Sequence, residues 1–405
     1  MASTLDFALT CSTGGLEELT DTVGSPTAQS SVKYSGNYAY SLAGAATNVT
    51  IGKTLGDISA NSSWTVVFNV YFTDLAPTSG VYFMWLGTTV SNRHFRLRLL
   101  SNGDLRVNSN SGAESYDITS PFSANTWHTV RIDWVKGDAL TGKIRVLVDG
   151  SGGENETFDL YGSDSLNRVS FGGPVSGEGT VYIDSCVSWI TTEWKPTDVS
   201  DDIAVGPSHL SDNTTSTDLG TALDTGTWDN ASELPFSATN EVIGSTDNVE
   251  WGTDTDGGTY EGPLNATYSP AVGTVLGGIV GLSASRGAGA GTTHTIYGGS
   301  TNDTWISGMQ STAVTVETAV AWHELILDDA AKAPTTSEHF RMGFGKAGGA
   351  REWEVDDIVG VLLYEPDSGP PPTGYGNDVS GVASANIGKI DDVATANIAK
   401  VAGVA

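Results

Sequence analysis

The sequence predicts an all-β protein of two jelly-roll-like antiparallel β-sandwich domains with a short C-terminal repeat tail. Three observations carry this. Only 17% of the 405 residues are charged while 50 are glycine, a composition of short strands and turns rather than helices. Apolar and polar residues alternate at period two in run after run, as in Phe95-Arg96-Leu97-Arg98-Leu99. Turn dipeptides then separate the runs, Asn102-Gly103 and Asp149-Gly150 being the clearest.

The first sandwich is expected over 1–198. Trp64 to Phe72 and Val81 to Leu86 read as largely apolar strands. The alternating run at 95–99 turns at Asn102-Gly103 and resumes as Leu105-Arg106-Val107, which predicts a hairpin with a two-residue turn. Trp127 to Trp134 and Ile144 to Val148 continue the pattern. The polar, Asp-rich stretch at 199–207 is expected to be a linker, and 208–366 a second sandwich. Charge divides the two blocks: residues 1–200 hold 12 basic and 20 acidic side chains, residues 201–366 hold 5 and 24.

Three motifs recur in the same order in both blocks. Trp127-His128 is echoed by Trp322-His323, Arg168-Val-Ser-Phe171-Gly172 by Arg341-Met-Gly-Phe344-Gly345, and Ile183-Asp184 by Val355-Asp356. Ordered matches of this kind predict that the second block is a diverged copy of the first.

A Pro- and Gly-rich spacer is expected at 367–380, followed by a tail at 381–405 with an 11-residue repeat. Ala385-Asn386-Ile387 returns as Ala396-Asn397-Ile398, and Lys389 as Lys400. The apolar positions, Ile387, Ile390, Ile398 and Val401 among them, fit a hendecad helix seam. Gly381, Gly388 and Gly403 weaken that helix, and a pair of short strands is the competing structure. Either form makes the tail an oligomerising or anchoring device.

The net charge of −29 and pI near 4.2 set a surface that repels phosphate backbones, so nucleic acid is excluded as a partner. With no apolar run of about 18 residues, membrane insertion is not expected either. No signal-peptide pattern opens the sequence at Met1. Scarce Lys beside abundant Asp fits a protein kept soluble in brine, or an ordinary acidic extracellular protein. Two cysteines, Cys11 and Cys186, fit no zinc ligand set. They read either as partners across paired strands or as two unrelated buried thiols.

Catalytic patterns are near misses. Glu354-Val355-Asp356 opens the two-carboxylate strand motif of glycoside hydrolases but has no closing Glu. His323-Glu324 lacks the second His of a zinc protease, no G-x-S-x-G elbow occurs, and Gly287, Gly289 and Gly291 are misspaced for a phosphate loop. No catalytic residue is assigned and no enzyme is expected. The acidic run Asp247, Glu250, Asp254, Asp256 and Glu261 does not fit a calcium loop, so a rim Ca²⁺ is left without ligands and no other cofactor is expected.

The sharper pattern is arginine parity. Arg96, Arg98, Arg106, Arg131 and Arg145 all hold the polar phase of strands whose other phase is apolar. If those strands are neighbours, the guanidinium groups share one sheet face, a basic patch in an acidic protein. Arginine favours planar carboxylates and aromatic rings, so an acidic protein surface or an acidic glycan is the expected partner.

The W-H-x-V-x-I run at 127–132, the I-R-V-L-V-D-G hairpin at 144–150 and the G-x-V-Y-I-D strand at 179–184 resemble the concanavalin A-like, laminin-G-like sandwich family. The F-S-A-T-N-E-V stretch at 236–242, the G-I-V-G-L-S-A-S-R run at 278–286 and the tail repeat resemble structural proteins of tailed viruses. That resemblance implies a non-enzymatic virion surface component, a head decoration or a fibre or tail appendage. Its implied partners are further copies of itself, other virion proteins and host surface glycans. A secreted carbohydrate-binding protein, and less so a glycoside hydrolase of the same fold, are the alternatives.

Overall fold

The computed structural model describes residues 4–11, 16, 18–36, 38–44, 49–54, 63–87, 93–109, 114–137, 141–158, 168–174, 178–209, 260–263, 270–286, 292–300, 308–319, 321–327, 333, 339–346, 353–367, 389–390 and 393–394. The described elements are all β, in antiparallel sheets that do not close into barrels. No helix among them is long and apolar enough to cross a membrane.

The first sandwich has two layers. One sheet runs β13 (Ser151–Asn155), β12 (Lys143–Val148), β11 (Trp127–Val135), β6 (Ser63–Phe72), β15 (Thr180–Thr191), β4 (Ala39–Ala43), β3 (Thr27–Gln29), with β1 (Thr4–Leu9) also pairing β15. The other runs β10 (Ser115–Ile118), β9 (Leu105–Ser109), β8 (Arg93–Leu99), β7 (Val81–Gly87), β14 (Arg168–Gly172), β5 (Thr50–Thr54), β2 (Asp21–Val23). Alternation sends one set of side chains inward from each sheet. Val66, Phe68, Val70, Val130, Ile132 and Val146 thus meet Leu97, Leu99, Val107 and Phe171 in one buried core. Trp134 lies opposite Trp64 in the ladder, and their rings stack at 6.4 Å.

The two turn dipeptides resolve differently. Asp149 and Gly150 both have positive φ (48° and 75°), the two-residue hairpin their sequence predicts, and Val148 pairs Ser151. At Asn102-Gly103 only Gly103 is left-handed (φ 84°), and its N–H donates to the Leu100 carbonyl at 3.0 Å. The loop is therefore a three-residue turn closed by a left-handed glycine, because Asn102 turns its side chain to Asp104 (2.6 Å).

The eight described strands of the second block follow the pairing order of eight strands of the first. Its sheets run β16 (Ala204–His209), β23 (Trp353–Pro366), β18 (Val272–Arg286), β21 (Ala321–Leu327), and β17 (Tyr260–Pro263), β22 (His339–Lys346), β19 (Thr292–Ser300), β20 (Gln310–Val316). Read in chain order these reproduce β4-β15-β6-β11 and β5-β14-β7-β8. The register agrees: Arg168 faces Gly87 and Phe171 faces Met84, while Arg341 faces Gly299 and Phe344 faces Ile296. The three echoed motifs fall on equivalent strands.

The stretch expected as a linker at 199–207 is packed instead. Val199, Ile203 and Val205 are buried in an apolar cluster with Leu5, Val67 and Trp189 of the first sandwich and Ile279, Val361 and Leu363 of the second. Ala204–His209 is a strand of the second sandwich paired with β23. Asn69 Nδ2 donates to the Ile203 carbonyl (3.0 Å) and the Val205 N–H to Ser35 Oγ (3.0 Å). Lys53 crosses between the sandwiches to Glu324 at 2.8 Å.

Chain contacts divide the molecule into Met1–Glu365 and Pro366–Ala405. In the second unit, Lys389–Ile390 (β24) pairs Val393–Ala394 (β25), the short-strand alternative rather than the helix. Ile387, Ile398 and Val401 lie outside the described residues, and Ile390 is placed only as part of β24.

Cys11 and Cys186 are free and buried, so the unbonded alternative holds. Burial pushes both thiols well above their usual range. Neither should react with a thiol reagent in the native protein, and both should react on unfolding. Rapid labelling under native conditions would contradict their burial.

Candidate functional site

The five arginines do not share a face. Arg96, Arg98 and Arg106 lie on β8 and β9 of one sheet, Arg131 and Arg145 on β11 and β12 of the other. All occupy the outward phase, but the outward faces of two packed sheets point in opposite directions. The single basic face expected from parity is thereby corrected to two separate groups.

Arg131 and Arg145 belong to the junction. Both reach Asp133, which is 1% exposed, Arg131 Nε at 3.0 Å and Arg145 Nε at 2.7 Å. Thr65 Oγ1 donates to the same carboxylate at 2.7 Å. Arg131 also donates to the carbonyls of Pro196 (2.6 Å) and Val199 (3.1 Å) and pairs with Asp201. Its five donors in a fixed fork suit that task, and the residue is structural.

Arg96, Arg98 and Arg106 remain together on the outer face of the seven-stranded sheet. Directly opposed residues in an antiparallel ladder point the same way. Tyr82, Arg98, Arg106 and Asp117 form one row across β7, β8, β9 and β10. The Arg96 and Arg98 guanidinium groups lie 5.1 and 5.0 Å from the Tyr82 ring centre. Arg106 holds Asp117 through two bonds of 2.7 Å, and that hydrogen bonding keeps the Asp117 carboxyl below its ordinary range.

The adjoining row runs Asp21, Gly52, Ser170, Trp85, Arg96, Asn108 across β2, β5, β14, β7, β8 and β9. Two glycines make room here for planar groups lying on the sheet. A Cβ on Gly172 would come within 2.7 Å of the Trp85 ring, and one on Gly52 within 2.4 Å of Arg168 Nη2. Arg168 therefore adds a fourth guanidinium to this face. Sequence reasoning met Arg168 only as a repeat marker. Its signal was its phase, two residues from Ser170 and alternating with Val169 and Phe171.

The second sandwich acts as an internal control. Tyr297 stands where Trp85 does, and Ser311 opposite it replaces Arg96. Strand β20, the counterpart of β8, reads Gln-Ser-Thr-Ala-Val-Thr-Val and carries no basic residue. The fold does not need cations on this strand, so Arg96 and Arg98 are particular to the first sandwich, whereas Arg168 has its counterpart in Arg341.

Of the carboxylates singled out by sequence, Asp184 is buried and accepts the Tyr34 and Ser35 N–H groups at 2.8 and 3.2 Å. Glu354 and Asp356 lie in β23, their side chains outside the described residues, as are Asp247, Glu250, Asp254, Asp256 and the Glu261 side chain. Gly287, Gly289 and Gly291 also lie outside them. His128 is a turn fastener: its ring bonds Asp149 at 2.6 Å and accepts the Ser123 N–H at 2.8 Å.

No protein-family model matches this chain, and no curated protein matches it. Solved structures do. An endo-β-1,4-glucuronan lyase of the fungus Trichoderma reesei aligns at 14% identity over 48% of this chain and 98% of its own, with a TM-score of 0.35. A carbohydrate esterase of the Shiga toxin-encoding bacteriophage phi24B aligns at 15% over 46% and 100% (TM-score 0.34). The binding domain of botulinum neurotoxin serotype D aligns at 10% over 47% of this chain and 48% of its own (TM-score 0.33). The first two are enzymes acting on carbohydrate. They correct the sequence expectation that excluded an enzyme: sandwiches like these also carry catalysis.

Proposed function

We propose that this chain is a carbohydrate-recognition protein of a virion surface, and that the first sandwich binds an acidic glycan on the outer face of its seven-stranded sheet. The observation that carries the reading is the group Tyr82, Arg96, Arg98 and Arg106, in which Arg96 and Arg98 lie over the aromatic ring and Arg106 pairs with Asp117, within a chain of net charge −29. Arginine forks suit sugar carboxylates, and the acidic remainder of the surface repels nucleic acid as a competitor. The tail repeat supports attachment to a particle or to further copies of the chain. That resemblance, rather than the sandwich, is what favours a virion over a secreted lectin.

Titration calorimetry with polygalacturonate and with neutral dextran tests the glycan reading. Wild type should bind the first and not the second, more weakly as salt rises. Replacing Arg98 and Arg106 with Gln together should weaken binding roughly 10- to 100-fold at an unchanged melting temperature. Equal binding of dextran, or an unaffected double variant, refutes the reading. Unsaturated sugar ends formed in the same samples would show whether the bound chain is also cut. Co-sedimentation of the protein with purified particles tests the virion placement, and its absence from them rejects it.

A further inference from the structure

We infer that β20 is the contact through which two copies of this chain join, edge to edge and antiparallel about a twofold axis near Ala313. The first sandwich shows what covers the equivalent place there. β8 is flanked by β7 and by β9, and Leu97 and Leu99 pair with Val107 and Leu105 across that second ladder. All four are fully buried. In the second sandwich Thr312 and Val314 of β20 take the positions of Leu97 and Leu99. Among the described residues β20 pairs β19 alone. Thr312 and Val314 are only half-buried, and Ser311, Ala313 and Thr315 are exposed.

The connection that follows β20 is too short to supply a cover. Residues 100–126 hold β9 and β10 in the first sandwich, whereas only residues 317–320 join β20 to β21. An unpaired edge offers its row of N–H and C=O groups to any strand that fits.

The other described sheet edges are blunted by shortness, charge, glycine or proline, the devices that keep natural edges apart. β2 and β3 are three residues long, β10 carries Asp117, and β13 has two glycines and Glu154. β16 carries Pro207, β17 Pro263 and β21 Glu324. β20 has seven residues with no charge, no proline and no glycine, and its ladder with β19 runs without a bulge. Two copies of net charge −29 repel one another, so a neutral strand is where they can approach.

The strand is also its own complement. Antiparallel pairing centred on Ala313 sets Ser311 opposite Thr315 of the partner subunit on the outer face. On the inner face it sets Thr312 opposite Val314 of the partner subunit. Hydroxyl and β-branched pairs of this kind favour a ladder, and a twofold contact closes at two copies. The four-stranded sheet β17-β22-β19-β20 then runs on into its twin.

Analytical ultracentrifugation of the full chain tests this. Wild type should pass from a 42.1 kDa monomer to a dimer as concentration rises, and more readily at high salt, which screens the repulsion between copies. One strand pair is a small contact, so the dimer should be weak, with a Kd in the micromolar range or above. Ala313→Glu and Ala313→Lys should each weaken it about 5- to 10-fold at an unchanged melting temperature, because like charges then meet across the axis. Mixing the two variants should restore it. If the Ala313 variants fail to fold, Ser311→Lys with Thr315→Glu in one chain should keep the dimer, and Ser311→Glu with Thr315→Glu should lose it. A wild type that stays monomeric throughout its soluble range overturns the inference, whether another segment of the chain or an unrelated protein covers β20. A dimer that Ala313→Glu leaves unchanged also overturns it, by placing the contact elsewhere, as in the tail repeat. Ala313 variants that are weakened but do not recover on mixing reject it too, since the effect is then on the strand and not on a facing copy.

Discussion

Replacing Arg131 with Met should destabilise the protein by about 3–5 kcal/mol, the cost of breaking a buried pair and stranding its partners. Met keeps most of the volume, so the loss reports on bonding rather than on a cavity. Asp133, 1% exposed, would keep only Arg145 and Thr65, and the carbonyls of Pro196 and Val199 would lose their donor. The midpoint of guanidinium chloride unfolding measures the effect. The same variant should admit proteolysis near 196–203, where wild type resists. Because Val199, Ile203 and Val205 share one apolar cluster with both sandwiches, wild type should unfold in one transition, with tryptophan fluorescence and far-ultraviolet dichroism coinciding. A loss under about 1 kcal/mol, or two separated transitions in wild type, would mean that the segment is a tether and not a fastening.

Much of this fold was legible because period two is a local signal. Arg96 and Arg98 alternate with Phe95, Leu97 and Leu99, and the structure buries the latter three. Asp149-Gly150 forms its turn because two adjacent left-handed residues are a property of the dipeptide. The echoed Arg168 and Arg341 motifs were legible for the same reason, each marking a central strand beside its partner β7 or β19.

What escaped was pairing at long range. Alternation says which residues face outward but not which sheet a strand joins, so Arg131 looked equivalent to Arg98. The Asp-rich composition at 199–207 outweighed the alternate Val199, Ile203 and Val205, which needed only a complementary face to be buried. Arg168 was hidden because Gly52, the residue that makes room for it, stands 116 positions earlier. Composition bears on bulk charge and so argues against a phosphate backbone as partner, but it says nothing of catalysis, which depends on a few side chains.

The second large effect is expected at Asp184, and it concerns pH. This carboxyl is fully buried at the point where the β15 ladder shifts register, close to the junction segment. Burial raises it to about 7 from an ordinary 3.8, even though the Tyr34 and Ser35 amides and the Ser185 hydroxyl favour the ionised form. The folded state then holds this proton more tightly than the unfolded chain does. Between about pH 4 and 7 the native protein binds more protons at this site, so its contribution to stability falls as pH rises and is gone above about 7. Three pH units correspond to roughly 4 kcal/mol. Asn at this position keeps an acceptor for the two amides and never ionises. Asp184→Asn should therefore match wild type near pH 4 and exceed it by a few kcal/mol near pH 8, with a melting temperature several degrees higher. Val205 N–H reaches this same group through Ser35 Oγ, which bonds Ser185 Oγ at 2.8 Å, so the gain should appear in the single shared transition. A wild-type-minus-variant difference that stays flat from pH 4 to 8 would show that the carboxylate is ionised throughout, held by its three donors against the cost of burial.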